Sequence, residues 1–304
     1  MKMETLSKIE TEALAAEEAG GGFASDFAEL VKARLTLLVL LTTAVGFYLG
    51  TVGPVNYSTF FHAVLGTAFA AGGAAALNQW WERRLDAMMQ RTKMRPVPSG
   101  RMLPRDALVV GCVLALVGVV YLFVACNGLT AFLAALTIVV YIFAYTPLKR
   151  ISTANTLVGA VPGALPPLVG WAAARGTVEW PAWSLFVIMF CWQMPHFFAI
   201  AWMYRADYAR AGFRMLASRD ADGSRSGRQS VFFAVLLLGA SLLPPLLGIT
   251  SINYIPCEVL LSAFFCGLAI RFARRRDVVE ARRLFIGSII YLPLLLLLLV
   301  CTKL

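Results

Sequence analysis

Nine mostly apolar stretches, each about long enough to cross a bilayer, decide what this 304-residue chain folds into: residues 35–53, 59–78, 106–125, 128–147, 156–174, 183–203, 230–250, 254–272 and 284–302. A membrane-crossing helix needs about 20 residues. Inside hydrocarbon, every backbone polar group must find its partner within the protein. The expectation is therefore an all-α, polytopic bundle of about nine transmembrane helices. Composition agrees: 59% of residues are hydrophobic and 14% charged, against about 45–50% and 25% in soluble domains. That excludes a soluble enzyme, a disordered chain and a small disulfide scaffold. Pro162, Pro166 and Pro167 interrupt the fifth stretch, and Gln193, Pro195 and His196 make the sixth the most polar.

The net charge of +10 would suggest nucleic acid in a soluble protein. Here the basic residues fall in alternate loops, so no nucleic-acid partner is expected and lipid is the expected surroundings. Of the 27 Lys and Arg, all but Arg175 and Lys303 lie in residues 1–34, in the loops after the second, fourth, sixth and eighth stretches, or, for Arg271, at the very end of the eighth stretch. The positive-inside rule then predicts a cytoplasmic N-terminus and a C-terminus on the opposite side. Residues 1–26 read as a flexible cytoplasmic tail and 27–304 as one transmembrane domain. The tail lacks an apolar signal-peptide core, and Glu4, Glu10, Glu12, Glu17 and Glu18 argue against a transit peptide. A bacterial inner membrane, with the functional face cytoplasmic, is the expected location. The six cysteines form no CxxC pair and read as buried, inert thiols.

Three polar constellations end even-numbered stretches. In the first, Asn78, Glu82 and Asp86 are spaced i, i+4, i+8, which stacks them on one helical face. Three oxygen-bearing side chains suit Mg²⁺, commonly held by one or two carboxylates plus substrate phosphates. A solvated helix end paired with Arg83, Arg84 or Arg91 is the alternative. Arg91 and Arg95 follow in a short loop; their guanidinium forks suit phosphate oxygens, or anchor the loop to anionic lipid. Arg101 and Arg105 read as such anchors.

The second constellation is Tyr145, Lys149 and Arg150, a phenol and two cations at the same membrane depth as the first. Tyr and Lys also flank membrane spans as ordinary interface anchors. The third comprises Trp192, Gln193 and His196, with Asp207 and Tyr208 three to four helical turns further on. Polar residues at depth normally face a bundle interior or a cavity. Around His196 the aromatic residues suit either a flat apolar ring or core packing. Convergence of all three on one membrane face implies a cavity with a charged rim and an apolar interior.

At these residues the chain resembles the intramembrane UbiA-type prenyltransferases, and within them the branch that farnesylates heme. The likeness runs from about residue 27 to the C-terminus. Asn78–Asp86 is similar to the family's first acidic motif. Met89, Arg91, Thr92, Arg95 and Pro96 are similar to the heme branch's basic stretch, and Tyr145 with Lys149 to the family's Tyr-x-x-x-Lys element. Trp192-Gln193-Met194-Pro195-His196, then Asp207-Tyr208, resembles the heme branch, as do Gly159, Gly163, Pro166, Pro167, Gly170 and Trp171. Two departures stand out. Glu82 replaces the usual Asp, and Ala211 stands where the wider superfamily has a second carboxylate after Asp207.

The resemblance implies transfer of a farnesyl group from farnesyl diphosphate to a vinyl group of heme B, giving heme O and diphosphate. It implies Mg²⁺ held through Asn78, Glu82, Asp86 and Asp207, which are also the catalytic set. Diphosphate oxygens would be bound by Arg91, Arg95, Tyr145, Lys149 and Arg150. Heme would be bound by Trp192, Gln193 and His196, the last through iron or as a hydrogen-bonded packing residue. A heme A synthase is the implied partner enzyme. Two rivals remain. A quinone-precursor prenyltransferase shares the diphosphate chemistry but takes an aromatic acid or phenol. A secondary transporter would place polar sites near the midplane rather than crowd charges at one interface.

Overall fold

The computed structural model describes residues 22–304. The expected tail over residues 1–21 lies outside the described residues, whereas residues 23–26, expected in that tail, open the short helix α1, Phe23–Leu30. Nine helices long and apolar enough to cross a membrane follow among the described residues: α2 Ala33–Gly50, α3 Tyr57–Asp86, α4 Pro104–Ala125, α5 Gly128–Leu148, α6 Asn155–Arg175, α7 Trp180–Met203, α8 Ser224–Leu246, α9 Tyr254–Arg275 and α10 Val278–Cys301. The described residues contain no strand, only a bridge between Thr250 and Lys303. The protein is a multi-pass, all-α membrane protein.

Local chemistry explains the helix starts. Asn56, Asn127 and Asp277 accept hydrogen bonds from the backbone N–H groups of Thr59, Thr130 and Glu280, capping α3, α5 and α10. Pro104 and Pro181 sit in the first turns of α4 and α7, where their missing N–H costs nothing. Helix α8 breaks at Leu242, and two further irregularities border the cavities described below. In α5, residues Val140–Tyr145 widen into a π-helical turn. Pro147 has no N–H to donate, and the Thr146 hydroxyl instead bonds the Tyr141 carbonyl at 2.8 Å. In α6, helix breaks at Leu165, just before Pro166 and Pro167, while Pro162 is accommodated within its first half.

Consecutive helices pack side by side, α2 also packs against α6, and α10 returns to α2, closing a ring. The α2–α6 contact is a backbone-to-backbone approach. A Cβ on Gly46 would overlap Pro167, and one on Gly170 would overlap the Thr43 carbonyl oxygen. Small residues at such crossings let membrane helices meet at van der Waals distance. At the C-terminal end of α2, the Lys303 ammonium donates to the carbonyls of Tyr48 and Thr51, both at 2.7 Å. The outer surface carries exposed Leu, Val, Ile and Phe on most of the spans, as a lipid-facing surface requires.

Two expectations are corrected. Cys112, Cys257 and Cys301 are exposed, and only Cys191 is buried; a thiol is apolar enough to face lipid. Arg101 is not a free lipid anchor. Its guanidinium donates to Asp26 at 2.9 Å, Glu29 at 3.0 Å and the Met94 carbonyl at 2.8 Å, tying α1 to the loop after α3.

Candidate active site

Helix α3 runs 30 residues, two turns beyond its apolar stretch, so its last turns carry Asn78, Glu82 and Asp86 on one buried face. Each finds a partner from another part of the chain. The Lys149 ammonium donates to both oxygens of Glu82, at 2.8 and 2.9 Å. Arg95 donates to Asp86 at 2.8 Å. The Asn78 amide donates to Glu82 at 3.0 Å and to the Thr146 hydroxyl at 3.2 Å, while its oxygen accepts from Lys32 at 2.7 Å and from the Tyr141 hydroxyl at 3.2 Å. None of the partners expected for a solvated helix end takes these carboxylates; Arg83 turns back to the Trp80 carbonyl.

The basic loop folds over the helix end because α3 itself supplies its anchors. The Thr92 hydroxyl bonds the Asp86 carbonyl at 2.9 Å, and the Gln79 side-chain oxygen accepts from the Val97 N–H at 3.2 Å. Arg91 is thereby presented to the loop after α7. Its guanidinium donates to the Tyr208 hydroxyl at 3.0 Å and lies over the rings of Tyr204 and Tyr208. Its backbone N–H reaches Asp207 at 3.3 Å, and Arg210 donates to the other Asp207 oxygen at 2.9 Å. A third loop joins the same cluster through Asn155, which donates to the Arg214 carbonyl at 2.9 Å, and through the Arg214 N–H, which reaches the Lys149 carbonyl at 2.6 Å.

Beneath these loops lies a cavity of about 710 Å³, within the usual range for small-molecule sites. Asn78, Glu82, Asp86, Arg91, Arg95, Tyr145 and Lys149 line its polar part; Trp192, His196, Phe197, Phe285, Ile289 and Leu292 line its apolar part. A second cavity of about 310 Å³ shares Tyr141, Tyr145, Trp192 and His196 and continues toward Gln193, Gly163 and Pro166. Of the residues picked out from the sequence, Asp207 and Arg150 do not line either cavity. Gln193 lines only the second; its amide donates to the Ala160 carbonyl at 2.7 Å.

Sequence reasoning missed Lys32, Tyr141, Thr146 and the last-helix residues Phe285 and Ser288. Lys32 looked like one more positive-inside charge. It sits between α1 and α2 at φ 49°, ψ 52°, a left-handed conformation rare outside glycine, and this bend delivers its ammonium into the cavity. Burial first, then repulsion from Arg95 and Lys149, pull its pKa down to about 7. For Lys149 burial acts in the same direction, but the adjoining Glu82 carboxylate overrides it and holds the ammonium above its usual value. Tyr141 was findable: Tyr141, Tyr145 and Lys149 repeat at i, i+4, i+8, the same spacing as the acidic face. The two rings stack with centroids 5.6 Å apart.

The arrangement suits a reaction that separates a polyanionic leaving group from an apolar fragment. Cations and acids surround one end of the cavity; aromatic and aliphatic side chains surround the other.

The chain is similar to known proteins. The UbiA prenyltransferase family matches residues 39–297. A protoheme IX farnesyltransferase from Solibacter usitatus is 43% identical over 279 residues, covering 89% of this chain and 96% of that protein. Another, mitochondrial and from Homo sapiens, is 40% identical over 276 residues, covering 91% of this chain and 62% of that protein. Among solved structures, one of a digeranylgeranylglyceryl phosphate synthase superposes with a TM-score of 0.77 at 15% identity, covering 92% of this chain and 98% of that one. A UbiA homolog from Archaeoglobus fulgidus bound to DMAPP and Mg²⁺ superposes with a TM-score of 0.67 at 14% identity, covering 90% and 99%. With the family matched over most of its length and relatives at 40–43% identity spanning about nine-tenths of it, this chain belongs to the UbiA prenyltransferase family.

Proposed function

We propose that the protein transfers a farnesyl group from farnesyl diphosphate to a vinyl group of heme B, giving heme O and diphosphate. The observation that carries this reading is one cavity that joins a ring of acids and cations to an aromatic wall containing His196. The relatives named for protoheme IX farnesyl transfer support the choice of both substrates. Residues 27–304 act as the single catalytic domain.

The donor set fits a hard divalent cation. Asn78, Glu82 and Asp86 offer oxygen only, and their side chains are almost fully buried. Among the described residues no group of three or more acidic, histidine or cysteine side chains forms a self-contained cage. Two carboxylates that leave the remaining positions to substrate phosphates are what Mg²⁺ favours. Asp207 is the fourth candidate, since it precedes the cavity-lining Tyr208 and holds the Arg91 backbone. These residues would hold Mg²⁺, which would supply neutralisation of the charge on the departing diphosphate.

The chain's own residues do the rest. Two of the acids each hold a cation: Glu82 holds Lys149, and Asp86 holds Arg95. Substrate binding exchanges these partners, so that Lys149, Arg95, Arg91 and Lys32 take the diphosphate oxygens and Tyr145 supports Lys149, whose ammonium lies 4.4 Å from its ring centroid. Arg150, outside the cavity, adds long-range charge. The C1–O bond of farnesyl diphosphate breaks with its electron pair leaving on oxygen. The terminal vinyl carbon of heme bonds to C1, and water adds to the cation left beside the macrocycle, releasing one proton. Aromatic faces stabilise such cations, and the apolar wall limits premature capture by water. Trp192 and His196 form the heme side of the cavity, and Gln193 extends it along the second cavity.

The cation-rich face is the cytoplasmic one in a bacterial inner membrane, a placement supported by the 25-to-2 distribution of Lys and Arg. Heme O would pass from there to a heme A synthase, and lipid covers the outer helix faces. The acceptor is tested by diphosphate release from farnesyl diphosphate and Mg²⁺ with either heme B or 4-hydroxybenzoate. Release with heme B alone is expected. Release with 4-hydroxybenzoate alone would favour the quinone-precursor reading, and release with neither, alongside solute uptake into vesicles, would favour a transporter.

A further inference from the structure

His196 is held from three sides. Trp192, one turn earlier on α7, stacks on its ring with centroids 5.4 Å apart, and Phe285 of α10 covers it at 5.0 Å. The third contact is with Ser288, also on α10 and fully buried: His196 Nδ1 lies 2.6 Å from the Ser288 hydroxyl oxygen. The backbone of the same serine is fixed too, since its carbonyl accepts from the Trp192 indole N–H at 2.9 Å.

The direction of the His196–Ser288 bond follows from counting hydrogens. A serine hydroxyl has one proton to give and can accept elsewhere. Ser288 gives its proton to the Phe285 carbonyl, at 2.5 Å, and that carbonyl can only accept. The Ser288 oxygen must therefore accept from His196, which places the imidazole proton on Nδ1 and leaves the lone pair on Nε2. Nε2 has no hydrogen-bond partner among the described residues. It is also absent from the side-chain atoms that are both sealed and unpartnered, and His196 forms part of the wall of both cavities.

The structure assigns Ser288 as a positioning residue that fixes the tautomer and orientation of His196, so that Nε2 presents its lone pair to the iron of the heme acceptor. A ligating imidazole commonly donates its other N–H to an oxygen, which orients the ring and raises its basicity, and losing that oxygen typically costs about 10- to 100-fold in affinity. The assignment rests on the heme reading above. It adds an element of α10 that the diphosphate chemistry does not use.

Ferric heme B, titrated into detergent-solubilised full-length protein and followed by absorption and EPR, tests it. A parallel titration with farnesyl diphosphate and Mg²⁺ reports on the rest of the cavity. Wild type should give a histidine-ligated heme spectrum, and His196→Ala should abolish that signature. Ser288→Ala should weaken heme binding about 10- to 100-fold and alter the ligand-field signals, with farnesyl diphosphate binding unchanged. Ser288→Thr, which keeps the hydroxyl, should restore both. If Ser288→Ala binds heme as wild type does while His196→Ala loses the signature, Ser288 has no positioning role. Loss of both ligands in Ser288→Ala, with or without rescue by Thr, would make it a structural residue. An unchanged spectrum in His196→Ala would remove the histidine from iron. Absence of any heme binding by wild type would instead overturn the heme reading itself.

Discussion

Asp86→Asn should lower kcat by at least about 100- to 1,000-fold, the usual effect of removing one preorganised group that stabilises transition-state charge. The substitution keeps the size of the side chain and an oxygen that can accept from Arg95, now 2.8 Å away. It removes the negative charge from a position only 1% exposed. Arg95 keeps an oxygen acceptor and its side chain is 23% exposed, so the fold should survive with a smaller loss of stability than stranding a fully buried charge brings. Losing a charged ligand lowers both Mg²⁺ affinity and charge stabilisation, so raising Mg²⁺ to saturation should restore turnover only in part. Turnover within about tenfold of wild type at saturating Mg²⁺ would remove Asp86 from the reaction.

Lys149→Met should damage stability and substrate binding together, and the two effects can be separated. The Lys149 and Glu82 side chains are 12% and 5% exposed, and both Glu82 oxygens accept from the ammonium. Removing one member of a buried pair strands the other, at a cost of about 3–5 kcal/mol. Adding Glu82→Gln removes the stranded charge, so the double variant should recover most of the lost stability in a thermal or denaturant melt. Its KM for farnesyl diphosphate should remain raised, because no ammonium is left to meet the phosphate oxygens. A double variant that regained both stability and wild-type KM would show that Lys149 only neutralises Glu82.

Hydropathy and spacing made much of this molecule legible in advance. Long apolar runs have few options in a membrane, so the number and approximate limits of the spans follow from the sequence. The i, i+4, i+8 rule put Asn78, Glu82 and Asp86 on one face before any helix was seen, and the alternation of charge put all three constellations at one interface. Contacts between distant parts of the chain were not legible. Arg101 is 75 residues from the Asp26 it binds, and Ser288 is 92 from His196. No local pattern distinguishes a serine that orients an imidazole from any other serine in a run of Ile and Leu. The left-handed backbone at Lys32 is equally silent, since nothing about a Lys between two helices announces a bend that turns its ammonium inward. Asp207 carries a contact its acidic motif did not announce: it holds the Arg91 backbone and Arg210, joining the two loops over the cavity.

The central claim is that farnesyl transfer occurs onto heme. Purified protein incubated with heme B, farnesyl diphosphate and Mg²⁺, followed by chromatography with mass detection of the hemes, addresses donor, acceptor and product together. The account predicts a new heme heavier than heme B by one farnesyl group and one hydroxyl group, formed by wild type and absent with Asp86→Asn. Unmodified heme B as the sole heme recovered, from folded protein with Mg²⁺ and both substrates present, would contradict it.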